Sequence, residues 1–108
     1  MIDLTELNKL EQYLRSKGIP YERIDQDQIR DHYGNVRQLE RHQICVPVID
    51  YELREWDAIC HYGSYGYEEG LIEIMGSIVS ENDGDSVAGY LTADDVIRRI
   101  EDLNLAKP

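Results

Sequence analysis

The stretch Glu68-Glu69-Gly70-Leu71-Ile72-Glu73-Ile74-Met75-Gly76-Ser77-Ile78-Val79 decides how the rest of the chain is read. At a period of 3.6 residues, Leu71, Ile72, Met75, Ile78 and Val79 share one side of a helix, and Glu69 and Glu73 lie four apart on the other. The spacing predicts a helix over 68–79. The run Tyr62-Gly63-Ser64-Tyr65-Gly66-Tyr67 ahead of it reads as a tight loop of aromatic residues and glycines.

Upstream, Asp3 is the expected N-cap of a first helix and Glu6 the third residue of its capping box, with Ile2 and Leu7 as a hydrophobic staple. Leu7, Leu10 and Leu14 make its apolar stripe, Gly18 ends it and Pro20 bars its return. A short strand over Tyr21–Ile24 follows, then a polar segment closing in the turn Tyr33-Gly34-Asn35. Ile44, Val46 and Val48 alternate along a second strand, in which Pro47 calls for an edge position or a strand end. Trp56, Ala58 and Cys60 alternate along a third, paired with the second through a turn near Asp50–Leu53.

Downstream, Glu81–Ser86 reads as a loop and Val87–Leu91 as a short strand. Thr92 caps a last helix, with Asp95 closing the box, Leu91 and Val96 as a staple, and Val96, Ile97, Ile100 and Leu103 facing inward. The tail from about residue 104 should fray. The expectation is a single α+β domain over 1–108. It is a small antiparallel sheet of three to four strands packed with three helices, in the order α-β-β-β-α-(β)-α.

Charge is the strongest functional signal. The 108 residues carry a net −11, and residues 50–108 hold 14 acidic against 4 basic side chains where residues 1–49 hold 8 against 7. Such a field repels nucleic acid and anionic membrane and attracts basic protein surfaces. Phe is absent while Tyr occurs eight times, so some rings should reach the surface with their hydroxyls. The N-terminus has no signal-peptide pattern and no run approaches the roughly 20 apolar residues of a membrane span, which makes the cytoplasm the expected compartment.

No constellation names a reaction, and the chain is read as a non-enzyme with no cofactor and no metal. His42, Cys45, Cys60 and His61 are zinc-ligand types, but alternation along strands points His42 away from Cys45 and Cys60 away from His61. A Cys45–Cys60 disulfide would set the hairpin turn between Glu52 and Leu53; reduced core cysteines are the expected state. A thiolate nucleophile at either cysteine is disfavoured by the surrounding negative charge. The Gly63–Gly66 loop at a helix N-terminus is a conceivable phosphate cradle, yet Glu68 and Glu69 would repel an anion there. A calcium loop fails as well: aligning Gly84 with the required glycine puts Val79 at the first ligand position and Tyr90 where a bidentate Glu is needed. The carboxylate pairs Glu69/Glu73 and Asp94/Asp95 are accounted for by a wet helix face and by capping.

The runs WDAICHYGSYGYEEGLIEIMGSIV (Trp56–Val79) and DSVAGYLTADDVIRRI (Asp85–Ile100), with KGIPYERID and RHQICVP upstream, resemble small uncharacterised proteins of phages, prophages and mobile elements of Gram-positive gut bacteria. The resemblance covers most of the chain and supplies no catalytic residues. It implies a setting in which small acidic proteins block host defence, including as anti-CRISPR proteins, some by imitating the charge of DNA. Together with the charge it yields the expected function: a non-enzymatic inhibitor or adaptor whose acidic half engages the basic surface of a host nucleic-acid-handling protein. The expected contact residues are Glu68, Glu69, Glu73, Glu81, Asp83 and Asp85, with Tyr62, Tyr65 and Tyr67 as aromatic anchors. A solubilising surface is the plain alternative for each carboxylate. Two other classes stand beside this one. The first is a binder of a small ligand such as a signalling nucleotide, with the Tyr62–Tyr67 loop as pocket wall and Arg37, Arg41 and His42 as contacts. The second is an accessory module that self-associates through an edge strand.

Overall fold

A computed structural model of the protein describes residues 3–26, 29–30, 32–34, 36–37, 40–46 and 55–103. Helix α1 (Thr5–Ser16) is followed by β1 (Glu22–Gln26), a short ribbon of β2 (Ile29–Arg30) and β3 (Val36–Arg37), then β4 (Arg41–Val46), β5 (Trp56–Ile59), β6 (Ile72–Gly76), β7 (Val87–Leu91) and α2 (Ala93–Asp102). Strands β1-β4-β5-β6-β7 form one sheet in that spatial order, antiparallel throughout, so apart from the β2–β3 ribbon it is a meander.

Register explains which side chains are inside. Ile44 lies opposite Ala58, Ala58 opposite Ile74, and Ile74 opposite Ala88, one row across four strands. A second row joins Val46, Trp56 and Gly76. These rows pack with Leu7, Leu10 and Leu14 of α1 and Ala93, Val96 and Ile100 of α2 in a single apolar cluster. Both helices thus cover one face of the sheet and touch each other. The design is α+β, as the alternating and 3.6-period patterns led one to expect.

The helix expected over 68–79 is not present. Its place is taken by a 3-10 turn, Tyr67–Glu69, and by strand β6. Ile72 and Ile74 alternate into the core at 0% and 1% exposure, with Glu73 between them on the other face. The apolar residues at 71, 72, 74, 75, 78 and 79 all fit one side of a helix, while only those of even number alternate onto one face of a strand. Two glycines inside twelve residues weaken a helix by about 1 kcal/mol each, and β-branched residues favour the pleated surface. What settles the matter is β6's position between β5 and β7, where both edges of its backbone find partners. This one exchange gives two helices instead of three and five strands in the sheet instead of three to four.

Smaller differences have local causes. Strand β4 is internal, lying between β1 and β5, and Pro47, on which the edge-or-end expectation rested, lies outside the described residues. Leu103 stands 51% exposed instead of facing inward, because α2 ends at Asp102. Ile2, Val48, the turn near Asp50–Leu53 and the tail from 104 lie outside the described residues. Cys45 and Cys60 are buried and not joined in a disulfide. Register keeps them apart: Val46 faces Trp56 and Cys45 faces Asp57, so residues of like parity share a face and the two thiols project to opposite sides. Among the described residues no helix is long and apolar enough to cross a membrane.

The helix ends show what capping does here. At α1 the N-cap is Leu4 and not the expected Asp3, whose Oδ1 still accepts the Thr5 N–H at 2.9 Å, while Gly18, with φ +69°, closes the other end. There the Gly18 and Ile19 N–H groups return to the Arg15 and Leu14 carbonyls. The box expected between Asp3 and Glu6 is absent. Glu6 reaches across to α2, accepting the Ala93 N–H at 2.8 Å. The Thr92/Asp95 box of α2 forms with both of its bonds, and Glu6 satisfies a further donor that this box leaves open. Glu6→Ala should therefore cost about 1.5 kcal/mol, the loss of a charged acceptor on a helix terminus, read as a lowered urea midpoint with an unchanged m-value.

Candidate functional site

Among the described residues, the segment from His61 to Leu71 carries two exposed tyrosines, Tyr62 and Tyr65, and folds as a lobe against the end of β7. Its local hydrogen bonds are turn bonds: Ser64 N–H to His61 O, Tyr67 N–H to Ser64 O, Leu71 N–H to Gly66 O. Two bonds at Tyr65 tie it to β6 and β7. The Tyr90 N–H donates to Tyr65 O at 3.2 Å, and the Tyr65 N–H donates to the Glu73 carboxylate at 3.1 Å. Gly89 permits the approach, since a Cβ there would stand 2.3 Å from the Tyr65 Cβ.

The sheet itself is adapted to the lobe. Ile72 pairs with Leu91 and Ile74 with Ala88, so Gly89 and Tyr90 together oppose Glu73 in a β-bulge. The bulge switches parity, which lets Ala88 and Leu91 both face the core and turns Tyr90 outward. Tyr90 has φ +59°, the one non-glycine residue with positive φ among those described, and it is 60% exposed. A left-handed tyrosine costs roughly 1–2 kcal/mol; here the bulge and the bond to Tyr65 hold it in place. The rings of Tyr65 and Tyr90 lie 6.4 Å apart and within 21° of parallel, and those of Tyr62 and Tyr67 are tilted at 5.5 Å. A cavity of about 250 Å³ is lined by Tyr65, Tyr67, Tyr90, Glu68 and Glu69 with Gly63, Ser64 and Gly66. Glu68 and Glu69 are exposed, and neither forms an ion pair among the described residues. Partial desolvation and the Glu68 carboxylate beside it push the Tyr67 phenol up from its ordinary value.

Of the nine residues singled out from sequence, Tyr62, Tyr65, Tyr67, Glu68 and Glu69 are brought together. Glu73 adjoins them, but its carboxylate holds the Tyr65 backbone. Glu81, Asp83 and Asp85 are not part of the group: they lie on the connection at the far end of the β6–β7 hairpin, about 16 Å away for strands of this length. Asp83 there receives both guanidinium nitrogens of Arg99 at 2.8 Å and the Ser80 N–H at 2.7 Å, which hold its carboxyl far below the usual range. Asp85 accepts the Ser86 N–H. Tyr90 is the residue that sequence reasoning missed. Its only sign was an aromatic following glycine in a short strand, the composition of a bulge.

A second polar centre lies at the β1–β4 end. The His42 ring is 4% exposed, with Nδ1 2.7 Å from Asp25 and Nε2 3.0 Å from Glu40. Burial opposes ionisation of Asp25, yet the bonds from His42 and Arg23 hold its carboxyl below its ordinary value. Both ring nitrogens are engaged by carboxylates, so His42 has no free lone pair for a hydroxyl or thiol. The Cys60 thiol is fully buried, and burial first, then the Asp3 and Glu40 charges, push it up to about 11, which disfavours the thiolate. Among the described residues the Ser64 hydroxyl bonds the His61 backbone alone. His42, which the nucleotide reading would use, is pinned in the sheet, and Arg41 is bonded to Gln43; the Arg37 side chain lies outside the description. Among the described residues no group of three or more His, Cys, Asp and Glu side chains could hold a metal ion.

His61 gives this centre a pH signature. Its Nδ1 accepts the His42 N–H at 3.0 Å, and burial, then Arg41, push the imidazole down from 6.5 to about 4. The unfolded chain takes up the proton near 6.5 and the folded chain only near 4, so stability is lost as pH falls through that window. His61→Asn keeps an acceptor for the His42 N–H and cannot titrate. Its urea midpoint should fall less than that of the parent between pH 6.5 and 4, and equal slopes would contradict the assignment.

No protein-family model matches the chain, and neither a curated protein nor a solved structure does so.

Proposed function

We propose that the protein is a non-enzymatic binding module that docks the tyrosine–glutamate lobe on a basic protein surface, and that it acts as an inhibitor of a host nucleic-acid-handling protein. The observation that carries this reading is the lobe: Tyr65, Tyr67 and Tyr90 line one cavity with Glu68 and Glu69, Tyr65 and Tyr90 being 54% and 60% exposed, and the exposed Tyr62 ring stands against Tyr67. Exposed aromatics held rigidly by backbone bonds are efficient interface anchors. The net charge of −11 speeds the encounter with a basic partner and makes it salt-sensitive. The phage or mobile-element setting, with its anti-CRISPR-like role, rests on the sequence resemblance. The far-end carboxylates Glu81, Asp83 and Asp85 fit a long-range field better than a direct contact, which narrows the DNA-mimic idea to the lobe.

The test begins with tagged protein in lysate of a Gram-positive host, washed at low and at high salt. Any nucleic-acid enzyme retained only at low salt is then titrated with the purified protein. Glu68→Lys/Glu69→Lys should weaken that complex at least tenfold, chiefly through the association rate, while Glu81→Lys/Asp85→Lys should weaken it no more than about threefold. Equal losses from both pairs would mean that charge acts without a docking site.

The cavity favours one second reading, a small-ligand binder. Its two rim carboxylates suit a cation and oppose the phosphates of a nucleotide. Ligand carried through purification and seen by native mass spectrometry would support that class over the first.

A further inference from the structure

We infer that the cavity lined by Tyr65, Tyr67 and Tyr90 is a receptor for one arginine side chain, an inference that rests on the docking function proposed above and names what the partner inserts. Three features converge. The Tyr65 and Tyr90 rings both line the cavity and lie stacked, within 21° of parallel with centroids 6.4 Å apart. Glu68 and Glu69 on the rim are acceptors without an ionic partner among the described residues. The volume, about 250 Å³, falls below the roughly 300–1,000 Å³ of pockets that enclose whole small molecules, and suits a side chain better than a free ligand.

The chemistry selects arginine over lysine. A guanidinium is planar, weakly hydrated and forked, so it stacks on an aromatic face while its edge donates to a carboxylate. An ammonium is compact and strongly hydrated, and gains from the ring quadrupole but not from stacking. An anion is excluded by the two glutamates. The Tyr90 backbone is the device that aims the ring: its N–H is anchored on Tyr65 O, so the side chain stands over the cavity instead of lying along the strand.

The experiment is a titration of the intact protein with N-acetyl-arginine amide, followed by amide and tyrosine-ring chemical shifts. N-acetyl-lysine amide is the comparator. A lone side chain should bind with a Kd on the order of millimolar, with shifts confined to residues 63–69 and 90, and the lysine analogue at least threefold weaker. Tyr90→Asn removes the ring while tolerating the left-handed backbone, and Glu68→Gln/Glu69→Gln removes the charge. Each should weaken arginine-amide binding at least fivefold without altering the fluorescence of the single tryptophan. Absence of saturable shifts up to about 50 mM, or equal binding by Tyr90→Asn, overturns the inference. The two readings separate cleanly. If charge reversal at Glu68 and Glu69 abolishes partner binding and Tyr90→Asn leaves it intact, docking stands and the arginine receptor fails. If arginine amide binds as expected and no basic partner is retained, the receptor stands and the docking function fails.

Discussion

Gly76→Ala should destabilise the protein by roughly 3 kcal/mol, lowering Tm by about 15 °C in a domain of this size. Gly76 has φ +100°, and a Cβ placed on it would stand 2.5 Å from the Glu55 carbonyl oxygen and 2.7 Å from the Trp56 Cα. These are backbone atoms of the neighbouring strand, so relief requires β5 and β6 to separate. The sign of the effect is the informative part. Were residues 68–79 the helix that their apolar spacing allows, the same substitution would stabilise by about 1 kcal/mol, because alanine is the better helix former. Gly84→Ala is the control: with φ +72° but nothing within 4 Å of its Cβ, it carries only the conformational cost. Thermal unfolding of the three proteins by circular dichroism distinguishes strand from helix without a structure determination, and a stabilised Gly76→Ala would refute the strand.

Trp56→Ala should cost about 4 kcal/mol, a large share of the roughly 5–15 kcal/mol that holds such a domain together. Trp56 is 2% exposed and sits mid-sheet between Val46 on β4 and Gly76 on β6. The missing side chain of Gly76 leaves room beside it, so the indole fills space that its own row would otherwise leave open. Removing it leaves a cavity that the flanking strands, fixed by ladder bonds on both sides, cannot collapse to fill. Urea titration followed by circular dichroism should show a much lower midpoint, and Trp56→Phe should recover more than half of the loss. A cost below about 1.5 kcal/mol would place the indole outside the packed centre.

These two residues also mark where sequence reading stopped. The row of Trp56, Ala58 and Cys60 and the row of Ile44 and Val46 were legible, because alternation is a property of each strand by itself. Their pairing partners on β6 were not. Leu71, Ile72, Ile74, Met75, Ile78 and Val79 all fall on one side of a helix, Ile72 and Ile74 also alternate as in a strand, and the local signals, two glycines and the β-branched residues, tilt the balance without deciding it. Glu6 failed in a related way. The capping-box spacing from Asp3 was present, but the carboxylate found a more demanding donor at the start of α2, 87 residues away in sequence.

The candidate site divides along the same line. The exposed tyrosines and glutamates of residues 62–69 are neighbours in the chain and could be grouped by inspection. Tyr90 joins them only through the bulge opposite Glu73, and Glu81, Asp83 and Asp85 leave them only because β6 is extended and carries the chain to the other end of the sheet.

What the chain determined by itself is therefore what short-range physics controls: the Leu7–Leu10–Leu14 stripe, the Gly18 stop, the Thr92–Asp95 box, the alternation in β4 and β5, and the acidic field. Only the tertiary structure decided that 72–76 is a strand, which acids gather, and that Tyr90 stands at the cavity. A helix satisfies its backbone within itself, whereas a strand's donors and acceptors are satisfied by residues far away in sequence. The choice between the two was made by β5 and β7 rather than by the residues of β6.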